Sequence, residues 1–533
     1  VKNGNQKIEI ETMDQQWRPH SPWLIALTVM LATFMEVLDT SIANVSLPHI
    51  AGNLSATIDE STWVLTSYLV SNAIMLPLSG WFSMLLGRKK FFIICVVIFT
   101  VSSFLCGLAP NIEMLVLFRI IQGAGGGAMQ PLAQSILIEN FSPVKRGMAM
   151  AVYGMGVVVA PIVGPTLGGW ITDNYSWRWI FYINIPVGML SVFLTTLLVH
   201  DPPHFIRKSF KTGLKMDYIG LGLLSVGLGA LQIMLDKGQR EDWFSSHFIV
   251  VCAVLAVVCL LAVIFWELRQ KDPVINLHLL KDRNFAIAVF LMFILGIVLY
   301  GSTVLLPLFL QMVLGYTALN AGLVMSPGAI VTLVTMPLIG FLLTKYQPRW
   351  LIVTGLTIGA IGLYIMATFN LQISFGHAVW SRVVLSTALG FLFIPINTAA
   401  YSSIAKTSID GASGLINLAR NIGGSVGISF VTTMLARQAQ VHQNVLVGNV
   451  TPYNPQYREM FNNAVAALMH KGSSAYEAAM QAKAMIYFMV KQQAAMLAFI
   501  DNAWILMALF VAVIPLVFLL KKSLPHKGEA PVH

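Results

Sequence analysis

Apolar residues along this chain come in long unbroken runs, not in the strict alternation of half-buried strands. Fourteen runs lie at about 23–47, 61–85, 91–109, 113–137, 148–172, 178–199, 214–235, 247–268, 285–310, 321–343, 350–370, 378–404, 411–435 and 503–520. Each is close to the ~20 residues that carry a helix across a hydrocarbon core, so the pattern predicts an all-α polytopic membrane protein with 14 transmembrane helices. An even number of spans puts both ends of the chain on one side. One interval departs from the short-loop rhythm. Residues 436–502 predict an external loop with two amphipathic stretches, Tyr457 to Leu468 and Tyr476 to Phe499, where apolar positions recur at helical spacing. Arg458, Lys471, Glu477, Lys483 and Lys491 interrupt them, so neither reads as a span.

Composition agrees with this reading. Only 11% of the 533 residues are charged and 56% are hydrophobic, against the ~25% charged that a soluble domain carries. A net charge of +10 would suit nucleic acid if it were gathered into a basic face, but Lys and Arg are scattered through the short loops, which excludes that class. Of the 33 Lys and Arg, 22 fall on the side of the two tails and eight on the opposite side. Positive charge is retained inside, so both termini are expected to be cytoplasmic. Arg119, Arg382 and Arg420 remain within spans. The four cysteines lie in apolar runs at no metal-binding spacing, which predicts packing roles and no disulfide. Residues 1–22 have no apolar core and read as a cytoplasmic tail, not a signal peptide.

A weak internal echo divides the spans. Arg119 precedes Pro131 in the fourth and Arg382 precedes Pro395 in the twelfth, and Gly80 to Arg88 resembles Gly340 to Arg349. The division is a tail (1–22), a six-helix bundle (23–199), two inserted helices with their linkers (200–284), a second six-helix bundle with the external loop (285–520), and a second tail (521–533).

Ionisable residues inside spans are costly and mark function. Glu36 and Asp39 lie three residues apart in the first span, on one helix face. A carboxylate held between desolvation and a nearby cation can load and release a proton. Arg119, always protonated, is the expected countercharge, with Gln122 and Gln130 on the same span. Gly123 and Gly127 make a close-packing face. In the fifth span Gly156, Ala160, Gly164 and Gly168 form a ladder of small residues, and Pro161 and Pro165 remove backbone donors, which together predict a hinge or seal. Tyr300, Gln311, Arg382, Asn397, Asn417, Arg420 and Asn421 are candidates for the opposite cavity wall. The eleven His show no ligand spacing, so neither a metal site nor an enzymatic constellation is expected.

At these residues the chain resembles the major facilitator superfamily, and within it the fourteen-helix drug:proton antiporter family. "LDTSIANVSLP" (38–48), "RIIQGAGGG" (119–127), "APIVGPTLGG" (160–169) and "DNYSWRWIFYINIPVG" (173–188) are similar to its motifs in helices one, four, five and six. The resemblance implies a major facilitator fold and proton-coupled export of amphipathic or hydrophobic drugs by alternating access. The same fold also serves symporters and exporters of a specific metabolite, and the fifth-helix motif speaks against uptake. Asp39, Glu36 and Arg119 would couple protons, with no cofactor beyond the gradient. Exporters of this kind work in an inner membrane with a periplasmic adaptor and an outer-membrane channel. One departure stands out: the loop after the second span has Met84 where the family pattern has aspartate, so its charge network on the cytoplasmic side is expected to be incomplete.

Overall fold

The computed structural model describes residues 21–142, 145–201, 217–270, 273–402, 404–405 and 408–521. The two tails, all but their inner ends, and most of the linker before the seventh span lie outside the described residues. Helices account for all the long elements. α1 (Pro22–Asn53), α2 (Ile58–Leu86) and α3 (Arg88–Leu108) are followed by a span broken at Gly127–Ala128 into α4 (Ile112–Gly126) and α5 (Met129–Asn140). α6 (Arg146–Asn174), the one-turn α7 (Trp179–Tyr182) and α8 (Asn184–Leu198) complete an N-terminal bundle. α9 (Tyr218–Lys237) and α10 (His247–Glu267) come next. The C-terminal bundle holds α11 (Arg283–Leu308), α12 (Ala318–Leu342), α13 (Pro348–Ala367), α14 (Phe375–Tyr401), α15 (Ile409–Val447), α16 (Pro455–His470) and α17 (Ala475–Val517).

Among the described residues, 12 helices are long and apolar enough to cross a membrane, or 13 with the bent α6. The remaining predicted span, the thirteenth at 411–435, coincides with α15, which is long enough at 39 residues but is diluted by five glycines, Asp410, Asn417, Arg420 and Asn421. It sits against other helices and has little lipid to satisfy. α6 bends by 45° between Pro161 and Val163. The cause is local: Pro165 has no N–H to give the Pro161 carbonyl one turn back, and that carbonyl accepts instead from Ser41 Oγ at 3.2 Å.

One end of the bundle gathers the chain's inner ends. Trp23 packs edge-on against Phe141 with centroids 5.0 Å apart, and the Lys521 N–H donates to Asn284 at 2.8 Å. This is the tail end. The opposite end, the hairpin end, carries α16. α9 fastens to α2 and α15 near the hairpin end: Asp236 accepts from Thr66 and Lys237 donates to Thr62, while Ser425 donates to Gln232 at 2.8 Å.

The segment 436–502 differs from the expected loop. α15 runs on to Val447, and the second amphipathic stretch is no separate element but the first half of α17, one helix of 43 residues. At 1.5 Å per residue that helix is ~65 Å long, about twice a hydrocarbon core. A capping box starts it: Ser474 Oγ accepts from the Glu477 N–H, and the Glu477 carboxylate accepts from the Ser474 N–H at 3.1 Å. No breaker follows until Pro515, so nothing stops the helix at the membrane surface. α16, capped by Asn454 with Pro455 in its first turn, packs beside this extension.

Candidate functional site

The two acidic residues of α1 enter different networks. Asp39 is 2% exposed and accepts from Arg119 Nη1 at 2.5 Å, Asn184 Nδ2 at 2.7 Å and Gln122 Nε2 at 3.1 Å. Arg119 is fully buried in turn. Its Nε donates to the Val64 carbonyl at 3.0 Å and its guanidinium lies 4.3 Å from the centroid of the Tyr68 ring. Buried charges are tolerable only when paired and hydrogen-bonded, and this pair meets both conditions inside a single bundle.

Glu36 is 3% exposed. It accepts from Gln130 Nε2 at 2.5 Å and from Tyr68 Oη and Asn72 Nδ2 at 3.1 Å each. The Gln130 carbonyl takes a hydrogen bond from Arg420 of α15. A continuous path therefore runs from a carboxylate of the N-terminal bundle to an arginine of the C-terminal bundle. Tyr68 joins the two networks, its ring under Arg119 and its hydroxyl on Glu36.

Glycines make this proximity possible. A Cβ on Gly123 would stand 2.5 Å from the Tyr68 carbonyl, and one on Gly127 2.5 Å from that of Asn72. The span carrying Arg119 and Gln130 thus presses its backbone against α2.

The other candidates divide. Asn417 donates to Gln134 at 2.8 Å across the bundles, and Tyr401 donates to the same carbonyl oxygen at 2.7 Å. Tyr300 lies on Gly424, one turn beyond Arg420. Asn397 is buried but turns back on its own helix, donating to the Phe393 carbonyl at 2.8 Å. Gln311 is outside the site altogether: it is exposed in a π-helical turn, Phe309–Val313, that follows Pro307. The small-residue ladder of α6 faces its own bundle. A Cβ on Gly156 would stand 3.0 Å from Met30 Cγ, one on Gly164 2.4 Å from Ser41 Oγ, and one on Gly168 2.9 Å from Ile42 Cγ2, while Ala160 is fully buried. The seam with the other bundle uses another face of α6, where Gly147 meets Gly340 and Thr166 meets Gly322.

At the tail end the expectation of an incomplete charge network is corrected. Arg88 is 3% exposed, with Nε 2.8 Å from Asp410 Oδ1 and Nη1 paired to Glu139. Ser83 Oγ adds a bond to Asp410 at 2.9 Å. The acid missing at Met84 is supplied from α5 and, across the bundles, from α15, where Gly80 lets the backbone of α2 touch that of Gly411. Sequence reading also missed Asn184, Tyr68, Asn72 and Gln134. Each is a polar side chain inside an apolar run, which was the only available signal.

The Major Facilitator Superfamily model matches residues 29–428. The chain belongs to the major facilitator superfamily. It is 42% identical over 433 residues to the multidrug export protein EmrB of Haemophilus influenzae, covering 81% of this chain and 84% of that one. It is 40% identical over 436 residues to the fatty acid resistance protein FarB of Neisseria gonorrhoeae, with 82% and 85% covered. Among solved structures, a double tryptophan mutant of XylE superposes with a TM-score of 0.61 at 15% identity, covering 95% of this chain and 97% of that one, a likeness of fold. This superfamily member is a multi-pass membrane transporter, not an enzyme.

Proposed function

We propose that this transporter is a proton-coupled antiporter that exports amphipathic or hydrophobic drugs across an inner membrane by alternating access. The observation that supports it most is the Asp39–Arg119 pair, a salt bridge at 2.5 Å enclosed on every side. Protonation of Asp39 removes the charge that Arg119 answers, so the guanidinium and the Tyr68 ring beneath it shift. Tyr68 passes the change to Glu36, and Gln130 to Arg420 in the other bundle. The names of the multidrug and fatty acid resistance relatives support the substrate class, and the distribution of Lys and Arg supports cytoplasmic termini. The gradient supplies the energy, and no bound cofactor takes part.

The test uses proteoliposomes with an imposed pH gradient and ethidium as the transported dye. D39N is expected to abolish gradient-driven transport while ethidium binding persists. Wild-type pumping by D39N would sink the reading. The same reading gives the hairpin of α16 and the start of α17 to a periplasmic adaptor leading to an outer-membrane channel. Its outer face shows Tyr487 57% and Phe488 61% exposed. Replacing both by serine should leave transport in liposomes intact and remove resistance in cells, together with adaptor co-purification.

A further inference from the structure

Arg382 sits seven residues past the start of α14, as Arg119 does past the start of α4. Their surroundings differ. No Asp or Glu occurs between Asp282 and Asp410, so α11 to α14 contain no carboxylate at all. Arg382 is fully buried. Among the described residues its one hydrogen bond to a side chain runs from Nη2 to Thr303 Oγ1 of α11 at a long 3.4 Å. Its Nε and Nη1 reach no acceptor among the described residues. One turn further along α14, the buried Ser386 hydroxyl also lacks a partner among the described residues. α12 closes over the arginine's stem at Gly328, where a Cβ would stand 3.1 Å from Arg382 Cγ and 2.4 Å from Ser386 Oγ. Thr303, by contrast, is half-exposed.

A buried cation with donors to spare and no anion is costly. Guanidinium, two hydroxyls and no competing acid make a donor set that suits a planar carboxylate, which a guanidinium fork can grip with two bonds. We infer that Arg382, with Thr303 and Ser386, is a recognition point for the carboxylate head of an anionic amphipathic substrate. The substrate brings to the C-terminal bundle the charge that Asp39 provides in the N-terminal one. The inference rests on the export reading and specifies which amphipaths are preferred.

Binding to purified full-length protein in nanodiscs tests it, with laurate as the anion and dodecyltrimethylammonium as a cation of equal chain length. The quantity read is the ratio of their affinities. R382Q should lower the laurate preference about tenfold to a hundredfold, the range of a charge-assisted hydrogen bond, and R382K should keep part of it. T303D places a carboxylate beside Arg382 from within, so it should occupy the guanidinium and lower the preference as R382Q does. T303D also decides the matter if R382Q does not fold. Wild-type ratios in R382Q or T303D overturn the inference, as does laurate binding by T303D at wild-type affinity. The ratio needs no gradient, so it is read separately from export. Wild-type protein that moves neither amphiphile under a pH gradient would count against the export reading alone.

Discussion

In the N-terminal bundle Arg119 meets Asp39 at 2.5 Å, with Gln122 and Asn184 completing the carboxylate's shell. In the C-terminal bundle Arg382, the same number of residues into its helix, reaches a threonine hydroxyl at 3.4 Å and no acid among the described residues. Both bundles thus hold a buried arginine, one with an acid beside it and one without. A pair that can be broken by one proton stores an internal switch. A cation without a partner stores a vacancy for charge, to be completed from outside. The sequence echo between the two bundles keeps the arginine and the proline that follows it, and fails at the acid.

The largest expected effect separates the two arginines directly. R119Q strands the buried Asp39 carboxylate, and breaking one partner of a buried pair typically costs about 3–5 kcal/mol. R382Q strands nothing and removes an uncompensated charge, so thermal unfolding in the same detergent should show a large fall in Tm for R119Q and none, or a rise, for R382Q. The double variant D39N/R119Q should recover much of the loss. Equal falls for R119Q and R382Q would break the comparison by showing that Arg382 already has an internal partner.

A smaller effect is expected where the bundles meet at the tail end. Arg88 there is held by Asp410 from the other bundle and Glu139 from its own, whereas the α6–α12 seam at the hairpin end depends on Thr166 against Gly322, without charge. D410N should favour separation at the tail end. A cysteine introduced at Gly411, where a side chain has room, should then react several-fold faster with an impermeant maleimide, the four native cysteines being buried. E139Q should change the rate less, since Glu139 does not bridge the bundles. Equal rates in both variants would mean that the cross-bundle pair does not hold this end.

Much of this was legible in the sequence, for identifiable reasons. Span positions follow from apolar length alone, and Asp39 and Arg119 stand out because charge inside a span is costly. Partners were harder to see. Periodicity puts Glu36 and Asp39 on one face, but it does not say that Tyr68 and Asn72 of α2 draw Glu36 towards the seam while Asn184 of α8 completes Asp39. The family pattern puts the acid answering Arg88 nearby, at Met84, whereas Glu139 and, 322 residues away, Asp410 supply it. Gln311 is the polar residue at the very end of the span predicted at about 285–310; Pro307 and the π-helical turn after it leave Gln311 outside the site. The long α17 was misjudged although its signal was present. Ser474 and Glu477 cap its start and helical spacing runs from Tyr476 to Phe499, and no glycine or proline separates that stretch from the span at 503–520.

The smallest effect is expected inside the N-terminal bundle, at the closest approach of α1 and α6. A Cβ at Gly164 would stand 2.4 Å from Ser41 Oγ and 2.5 Å from Ser41 Cβ. The hydroxyl can rotate away, but Cβ cannot, so G164A forces the helices apart locally and overpacking of this kind costs about 1–3 kcal/mol. S41G alone loses the hydrogen bond to the Pro161 carbonyl, about 1 kcal/mol, and adds a glycine to a helix, about another. Their combination removes the clash, so S41G/G164A should be more stable than the two single effects predict, by about 1 kcal/mol or more of coupling. G322A provides the control. It meets Thr166 Oγ1 at 2.4 Å, but between bundles, so it should slow exchange between states and be insensitive to S41G. Melting curves of the four variants in the cycle, with transport rates for G322A, measure both. Strict additivity of S41G and G164A would show that α1 and α6 do not touch in the folded protein as they do here, and the small-residue ladder would then need another partner.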